Sequence, residues 1–338
     1  MKKVNITDVA KRAGVSVSTV SLVLRQKGKI SEATIGKIRS AIDELGYVHN
    51  VAAANLRSNT SNLIGLIIDD FSDTFSLKVM ASIVRNLELQ GYMVFLGQPQ
   101  NDELTLRHCL RSFLQQGVAG VIYLTCDHLS KKIPDPVIES HLPVVIVSKS
   151  GVEGAQDSVE CNNREAGINI TRYLIERGHR GIAYLGGNKR CLIREDRLQG
   201  YRYSLAQYGL PFREDWLPEC EESTFAASAA VGDLLKKYNN ITAILCHSPS
   251  AIIGCINGAH RIGRTIGKDI FLSQQISVAG FEDMMHINLT SPSLTYVSSP
   301  GEEAGYEAAS LIIKKIKEPA QDFQRIVISS QLVLRESA

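Results

Sequence analysis

Two kinds of hydrophobic pattern divide the chain. Before residue 47, apolar residues recur at helical spacing in three short amphipathic segments. From residue 63, short continuous apolar runs alternate with longer amphipathic stretches. The first pattern predicts a small helical head. The second is typical of buried parallel strands with helices between them.

The first two predicted helices lie within Ile6–Arg25 and are joined by a tight turn at Gly14. Glycine adopts the positive φ that such a turn needs at little cost, and Ser16 is placed to cap the second helix. Val20 and Val23 would point back into a small core. The pattern predicts a helix-turn-helix, whose second helix would lie in a DNA major groove.

A third helix is predicted between Ser31 as its N-cap and Gly46 as the glycine that ends it. Residues 47–61 then form a weakly hydrophobic connector, in which Ala52–Ala54 favour a helix. A segment of about eight residues cannot hold a helix alone in water, so we expect disorder there until a partner stabilises it. The predicted domains are therefore a helix-turn-helix domain at 1–46 and a hinge at 47–61.

Two α/β lobes with doubly wound parallel sheets are predicted after the hinge. The first lobe is assigned to residues 62–160 with 292–322, and the second to 161–291 with 323–338. The predicted strands are 63–68, 92–96, 120–124, 144–147, 182–185, 243–246, 277–281, 294–297 and one terminal strand near 325–334. The predicted helices are 74–90, 103–116, 164–178, 192–208, 224–237 and 302–317.

Positive charge is concentrated in the predicted head. Residues 1–60 carry ten Lys and Arg against four Asp and Glu, whereas the remainder carries 27 against 31. This asymmetry is typical of a phosphate-binding module attached to a body that does not bind nucleic acid.

Composition argues for an ordinary globular protein without metal or other cofactors. The seven cysteines are scattered, with neither a CxxC motif nor a Cys/His cluster at metal spacing, so we expect free thiols. No apolar run reaches the roughly 18 residues of a membrane span, and the first residues do not resemble a secretory signal. A cytoplasmic protein is expected.

Catalytic motifs are missing from the sequence. The first strand of the body is not followed by GxGxxG, and neither a P-loop, GxSxG nor HExxH is found. His179 could be a catalytic base, but a helix-end histidine interacting with the helix dipole is the favoured interpretation. A binding body is thus preferred to an α/β enzyme. A solute receptor is a further alternative, opposed by the basic head and the missing signal.

Ligands of such bodies bind beyond the carboxyl ends of parallel strands. Carboxylates and an arginine fork at these strand ends suit a small hydroxylated ligand, although each residue alone could be a helix cap or a surface ion pair. Lys149, Asp70 and Asp283 lie at the same strand ends. The candidate effector-binding residues are Asp69, Phe75, Ser148, Arg194, Arg197, Ser248 and Glu282.

A set of spaced motifs extends over essentially the whole chain: Asp8-Val9-Ala10, Ala13-Gly14-Val15-Ser16, Thr19-Val20-Ser21, Leu45-Gly46-Tyr47, Asn50, Leu56, Ile64-Gly65-Leu66, Gly178-His179, Ile182–Gly187 and Arg197–Tyr201. Together they resemble the lactose/galactose-repressor (LacI/GalR) family of bacterial transcription regulators. A narrower resemblance to members that control maltose genes is carried by Val15–Leu24, Gly209–Phe212, Asp215-Trp216 and Glu219-Cys220.

The resemblance implies a repressor of carbohydrate genes that binds a pseudo-palindromic operator as a homodimer. The body would resemble periplasmic sugar-binding proteins and hold a sugar or sugar derivative, which changes lobe closure. The hinge, with Ala53 and Leu56, would become helical on DNA, and Leu56 would wedge into the minor groove.

By the same resemblance, Val17, Ser18 and Leu22 would choose bases, the two apolar residues by contacting thymine methyls or excluding other bases. Val17 and Leu22 could instead pack in the core, but Val20 and its neighbours already fill that face, so we expect exposure. Phosphate contacts are expected from Thr7, Ser16, Thr19, Ser21, Arg25, Lys29, Ser31, Thr34 and Asn50.

The effector site departs from the family pattern. Arg197 is retained, but Glu282 stands where aspartate is usual, and Ser148 replaces an aspartate. Ser248-Pro249 and Asn162-Asn163 also replace residues that commonly bind sugar hydroxyls. The ligand is therefore unusual or absent. The chain stops at Ala338 without a leucine-heptad tail, which predicts a dimer.

Overall fold

The computed structural model describes residues 4–24, 28–47, 61–69, 71, 74–99, 102–125, 131–282 and 291–338. By its internal contacts the chain divides into two units, Met1–Ser61 and Asn62–Ala338. Most of the predicted hinge, residues 48–60, lies outside the described residues, and so do Arg25, Asn50, Ala53, Leu56, Asp70 and Asp283.

The head contains three helices: α1 (Ile6–Ala13), α2 (Val17–Leu24) and α3 (Glu32–Leu45). Gly14 ends α1 with φ 68°, as the turn requires. Ser16 Oγ accepts a hydrogen bond from Thr19 N at 3.1 Å, and the Ser31 side chain caps α3. α1 begins with a capping box of Asn5 and Asp8, which was not predicted from the sequence.

Five buried residues form the core of the head: Val9, Ala10, Val20, Ile38 and Ala41. They come from all three helices, so each helix buries one stripe against the other two.

The first sheet of the body is entirely parallel, with the order β2-β1-β3-β4-β5-β11. Its strands are β1 (Leu63–Ile68), β2 (Met93–Gly97), β3 (Gly120–Thr125), β4 (Val144–Ser148), β5 (Asp157–Cys161) and β11 (Arg325–Ile328). The helices of this lobe are α4 (Thr74–Leu89), α5 (Glu103–Gln116), α6 (Asp135–Glu139) and α11 (Gly301–Lys317).

The second sheet has the order β6-β7-β9-β10-β12, with β8 beside β9, and β12 is antiparallel to β10. Its strands are β6 (Ile182–Leu185), β7 (Ala243–Cys246), β8 (Thr265–Ile266), β9 (Gln275–Phe281), β10 (Thr295–Ser298) and β12 (Gln331–Val333). The helices are α7 (Asn163–Glu176), α8 (Leu192–Gln207), α9 (Thr224–Lys237) and α10 (Pro249–Arg261), with a 3-10 turn at Glu214–Trp216.

Both sheets are covered on both faces. Alternate residues of β7 enter different hydrophobic clusters, Ile244 and Cys246 on one face and Ala243 and Leu245 on the other. The first sheet divides in the same way, with Ile122 on one face and Val121 on the other. The predicted doubly wound architecture is confirmed.

The predicted lobe boundaries are wrong near the C-terminus. β10, within the segment assigned to the first lobe, pairs with β9 in the second sheet, whereas β11, assigned to the second lobe, pairs with β5 in the first. The predicted single terminal strand is two short strands, separated by Ser329 and Ser330 and placed in different sheets. The chain therefore passes between the lobes three times, after β5, β10 and β11.

Candidate functional site

The exposed face of α2 in the head carries the predicted base-contacting residues. Val17 is 39% and Leu22 42% exposed, while Val20 between them is fully buried. The expectation of exposure is confirmed. Ser18 is also exposed, and its Oγ lies 2.9 Å from Ser16 Oγ. α2 thus exposes two apolar side chains and one hydroxyl to solvent, while Val20 on its opposite side packs into the core of the head.

Hydroxyl groups collect at two helix starts in the head. Ser16 Oγ lies 2.8 Å from Thr19 Oγ1, and Ser31 Oγ lies 2.9 Å from Thr34 Oγ1. Backbone N–H groups at helix N-termini, with such hydroxyls, are suited to bind phosphate oxygens. The other described phosphate-contact candidates are Thr7 and Lys29, both exposed, and Ser21, which is half-buried.

In the body, one carboxylate joins charged groups from both lobes. Glu282 follows β9, and its Oε2 lies 3.1 Å from Nζ of Lys149, which follows β4 in the other lobe. Its Oε1 lies 3.3 Å from Nη2 of Arg197 on α8. We call these three residues the cleft triad. Lys149 is 6%, Arg197 2% and Glu282 14% exposed, so the triad is almost completely removed from solvent.

The position of Arg197 is fixed by backbone and side-chain contacts. Helices α7 and α8 cross so closely that a Cβ on Gly167 would lie 2.3 Å from the Arg197 carbonyl oxygen. The guanidinium donates to Asn163 Oδ1 at 3.0 Å and to the His247 carbonyl at 2.8 Å. It also lies 4.2 Å from the centre of the Phe281 ring. Arg197 is therefore a rigid part of the cleft wall.

Glu282 is ionised over the whole physiological range. Burial disfavours the charged form and would raise the pKa of Glu282, but the charges of Lys149 and Arg197 outweigh burial and lower the pKa to about 2. Its backbone is in the left-handed region, with φ 75°, which is uncommon for a residue other than glycine. The strained backbone therefore occurs at the residue that forms ion pairs with a cation from each lobe.

Of the other predicted cleft residues, Phe75 contacts the triad, and Asp69 and Ser148 lie at strand ends of the first sheet. The Lys149 ammonium lies 5.0 Å from the centre of the Phe75 ring, so the structure brings these two together. Asp69 accepts a hydrogen bond from Tyr123 Oη at 3.0 Å. Ser148 Oγ lies within 3.3 Å of the Gly151 carbonyl oxygen, in the loop that follows β4.

Two predicted residues have structural roles in the described chain. Ser248 Oγ accepts from Ala251 N at 3.3 Å as the N-cap of α10. Arg194 donates through Nε to the Gly186 carbonyl at 2.9 Å and through Nη2 to the Leu217 carbonyl at 3.2 Å, and so holds two loops together. Their assignment to the effector stays a prediction.

Two residues of the cleft were missed as candidates. Asn163, at the start of α7, donates to the Lys149 carbonyl at 2.6 Å while it accepts from Arg197. His247 Nδ1 lies 2.7 Å from Tyr184 Oη. The position of Asn163 in the Asn162-Asn163 pair was a usable signal, and so was the position of His247, which directly follows β7 and precedes the candidate Ser248.

His179 is a buried structural histidine. It is 2% exposed, and its Nδ1 lies 2.9 Å from Thr242 Oγ1. Burial, with Arg177 and Arg180 nearby, lowers the pKa of His179 to about 4. His179 does lie at the end of α7, where its backbone N–H donates to the Leu174 carbonyl at 3.1 Å, but its imidazole is neutral and hydrogen-bonded inside the lobe, not a cation facing the helix dipole.

Among the residues that the structure describes, no helix has the length and apolar content to cross a membrane. In that same part of the chain, His, Cys, Asp and Glu side chains do not gather in groups of three that could hold a metal ion.

Comparison with protein families matches both units of the chain. Residues 5–50 match bacterial regulatory proteins of the lacI family, and residues 61–336 match periplasmic binding proteins and the sugar binding domain of the LacI family. The chain is 37% identical over 337 residues to the maltose regulon regulatory protein MalI of Escherichia coli, with 98% of each chain covered. It is 26% identical to the transcriptional repressor PurR of Vibrio vulnificus, again over 98% of each chain.

Solved structures share the fold over the full length. A Lac repressor dimer bound to operator and the anti-inducer ONPF superposes with a TM-score of 0.81 at 22% identity, covering 99% of each chain. The transcriptional regulator CelR in complex with cellobiose gives 0.71 at 26% identity, covering 99% of this chain and 100% of CelR.

Proposed function

Because the chain belongs to the LacI family of bacterial regulatory proteins, we propose that it represses transcription by binding operator DNA as a homodimer, under the control of a small molecule held between its lobes. The observation that carries this proposal is the face of α2. Val17 and Leu22 are exposed on a helix whose opposite stripe holds the core of the head, and exposed apolar side chains on such a helix can contact thymine methyl groups.

The proposed roles divide between bases, phosphates and the minor groove. Val17, Ser18 and Leu22 choose bases, the hydroxyls at the starts of α2 and α3 hold phosphates, and Leu56 enters the minor groove. The concentration of basic residues in the first 60 positions supports this division, because phosphate contacts supply much of the affinity for DNA.

The proposed targets are carbohydrate genes, with maltose genes as the first candidates. The relative at 37% identity is a maltose regulon regulatory protein. A carbohydrate ligand is also present in the CelR complex, which has the same fold. We further expect no catalytic activity, and an action in the cytoplasm, at the bacterial nucleoid.

A mobility-shift assay on the full-length protein, with fragments of its source genome at low salt, tests the regulator function. We expect retardation of a few specific fragments that survives competitor DNA. Failure to retard any fragment, with a folded dimer confirmed by light scattering, would refute the proposal and favour a solute receptor.

Substitution of Leu56 tests the hinge role separately. Leu56→Ala should weaken specific binding by a few kcal/mol, the rough worth of one lost wedge, and leave dimerisation intact. Leu334→Ala, at an exposed leucine of the body, is the matched control and should bind the operator like wild type. Unchanged operator affinity of Leu56→Ala would contradict the hinge assignment.

A further inference from the structure

Three hydroxyl groups form one network at the start of α2. Ser16 Oγ lies 2.9 Å from Ser18 Oγ and 2.8 Å from Thr19 Oγ1. It also accepts a hydrogen bond from the backbone N–H of Thr19 at 3.1 Å. Ser16 and Ser18 are exposed and Thr19 is half-buried. The Ser16 hydroxyl therefore links a proposed base contact, Ser18, to a proposed phosphate contact, Thr19.

The Ser16 hydroxyl can bond to its two neighbours in only two ways. A hydroxyl has one proton to donate and two lone pairs that accept, and the backbone N–H of Thr19 takes one of these lone pairs. One neighbouring hydroxyl must therefore donate to Ser16, and the other must accept from it. If Ser16 donated to DNA instead, its two lone pairs would have to accept three hydrogen bonds.

The position of Thr19 on the helix decides between these two arrangements. Successive residues of a helix are rotated by about 100°, which places Thr19 between the exposed Ser18 and the buried Val20. A residue at this edge meets the phosphates that border the groove, whereas the exposed face meets the bases. Phosphate oxygens accept hydrogen bonds, so Thr19 needs its proton for the phosphate. Thr19 then accepts from Ser16, and Ser18 must donate to Ser16.

We propose that Ser18 contacts its base as a hydrogen-bond acceptor and selects the amino group of adenine or cytosine in the major groove. Its proton is donated to Ser16, so only its lone pairs face the DNA. A serine side chain on its own pairs with donors and acceptors alike, and the network removes this ambiguity. Ser16 and Thr19 are positioning residues for the base contact. The proposal rests on the regulator function above and names the base group that Ser18 recognises.

Operators with analogue bases test this on the full-length protein. Binding-site selection by wild type and Ser18→Ala first identifies the base pair that depends on Ser18. At that pair, purine for adenine or pyrimidin-2-one for cytosine removes the amino group. A 7-deazapurine, 5-methylpyrimidin-2-one for thymine, or 2-aminopurine for guanine removes an acceptor. The affinities of wild type and Ser18→Ala are compared on the same duplex, which cancels any change in base pairing.

We expect wild type to bind the natural operator roughly fivefold to tenfold more tightly than Ser18→Ala, which corresponds to one hydrogen bond. Deletion of the amino group should abolish this advantage, because Ser18 then lacks its donor. Deletion of an acceptor should leave the advantage unchanged, because the lone pairs of Ser18 do not bond to an acceptor.

Thr19→Val tests the role of the network. It removes the hydroxyl that accepts the Ser16 proton, so Ser16 can donate to Ser18, and Ser18 can donate to a base acceptor. Deletion of the amino group should therefore cost this variant less affinity than it costs wild type. Thr34→Val is the matched control, because Thr34 Oγ1 lies 2.9 Å from Ser31 Oγ at the start of a different helix. It should weaken binding to all operators alike and respond to each deletion as wild type does.

A wild-type advantage that survives deletion of the amino group, or that is lost on deletion of an acceptor, overturns the proposal. An unchanged response in Thr19→Val, shown to be folded by circular dichroism, also overturns it. So does selection of the same operator by Ser18→Ala and wild type. Specific retardation of the natural operator by the same wild-type preparation is measured in parallel. When that binding is present, these results refute the role of Ser18 and leave the regulator function standing.

Discussion

Arg197 Nε donates to Asn163 Oδ1 at 3.0 Å, and this bond ties the cleft arginine to the first residue of α7, directly after the chain has left the first sheet. The same asparagine donates to the Lys149 carbonyl. One buried amide therefore positions cationic residues of both lobes. We therefore expect lobe closure and the arrangement of the cleft triad to be coupled through it.

Replacing Arg197 by lysine tests this coupling. Lysine keeps the charge but cannot donate to Asn163, His247 and Glu282 at once. We expect a loss of about 1–3 kcal/mol in stability from the buried acceptors left unpaired, and loss of the effector response with operator binding retained. Calorimetry and a mobility-shift assay measure the two effects.

Arg202→Lys is the control for this substitution. Arg202 lies on the same helix but forms an exposed ion pair with Glu195, so its replacement should change stability by less than about 0.5 kcal/mol. Undiminished ligand affinity in Arg197→Lys would show that the effector binds elsewhere.

The exposed and buried valines of α2 should respond in opposite ways. Val17→Ala should leave the stability of the head within about 0.5 kcal/mol of wild type while it changes operator preference. Val20→Ala removes a fully buried side chain and should cost roughly 1–3 kcal/mol. Binding-site selection from a randomised operator library, with thermal unfolding, measures both.

An unchanged operator preference would contradict this prediction. If Val17→Ala selected the same operator as wild type, bases would be chosen by side chains other than Val17. Leu22→Ala, at the second exposed apolar position, then decides whether the apolar face of α2 contributes to operator choice at all.

Strands with continuous apolar residues were predictable from the sequence, and β5 shows why one strand was not. Asp157, Ser158 and Glu160 are buried within β5, a pattern that resembles an exposed loop. Lys315 compensates Asp157 and Arg325 compensates Glu160, from positions more than 150 residues away. The hydropathy of the residues near β5 does not indicate charged partners that are so far away along the chain.

The strand ends that line the cleft were predictable from the sequence, but the contacts between their side chains were not. The crevice rule brought Lys149, Arg197 and Glu282 into consideration, and the structure joins them in one network. The pairing of Glu282 with a cation from each lobe could not be predicted, because it depends on the relative placement of two sheets. The role of Arg194 likewise depends on tertiary contacts, with the carbonyls of Gly186 and Leu217, whereas the Ser248 cap is a local contact with Ala251.

Gly14 should tolerate alanine poorly although there is room for it. A Cβ there would meet nothing within 4 Å, but φ is 68°, where L-residues are strained. We expect Gly14→Ala to lower the stability of the head by about 1–2 kcal/mol. Gly36→Ala, in α3 with equal space and ordinary helical backbone, should instead raise it by up to about 1 kcal/mol. Thermal melts of the two variants should therefore shift in opposite directions.

His179 should make the second lobe sensitive to acid. Its pKa is about 4 in the folded lobe, below the 6.5 of the free side chain, so the unfolded chain binds the proton more readily. The contribution of the neutral, buried imidazole is fully present above about pH 6.5 and is lost as the pH falls towards 4. The limiting slope is about 1.4 kcal/mol per pH unit for one proton.

Urea unfolding between pH 7.5 and 4.5 measures this loss. It can be followed by the fluorescence of Trp216, the single tryptophan of the chain, which is buried in the second lobe. His179→Gln keeps a hydrogen-bonding side chain beside Thr242 but cannot take up the proton. Its free energy of unfolding should therefore fall less steeply with decreasing pH than that of wild type, and the difference in slope should correspond to at most one proton. At pH 7.5 the imidazole is largely neutral in both states, so the difference between the proteins there reports packing alone. Parallel profiles for the two proteins below pH 6.5 would show that His179 is not the group that titrates.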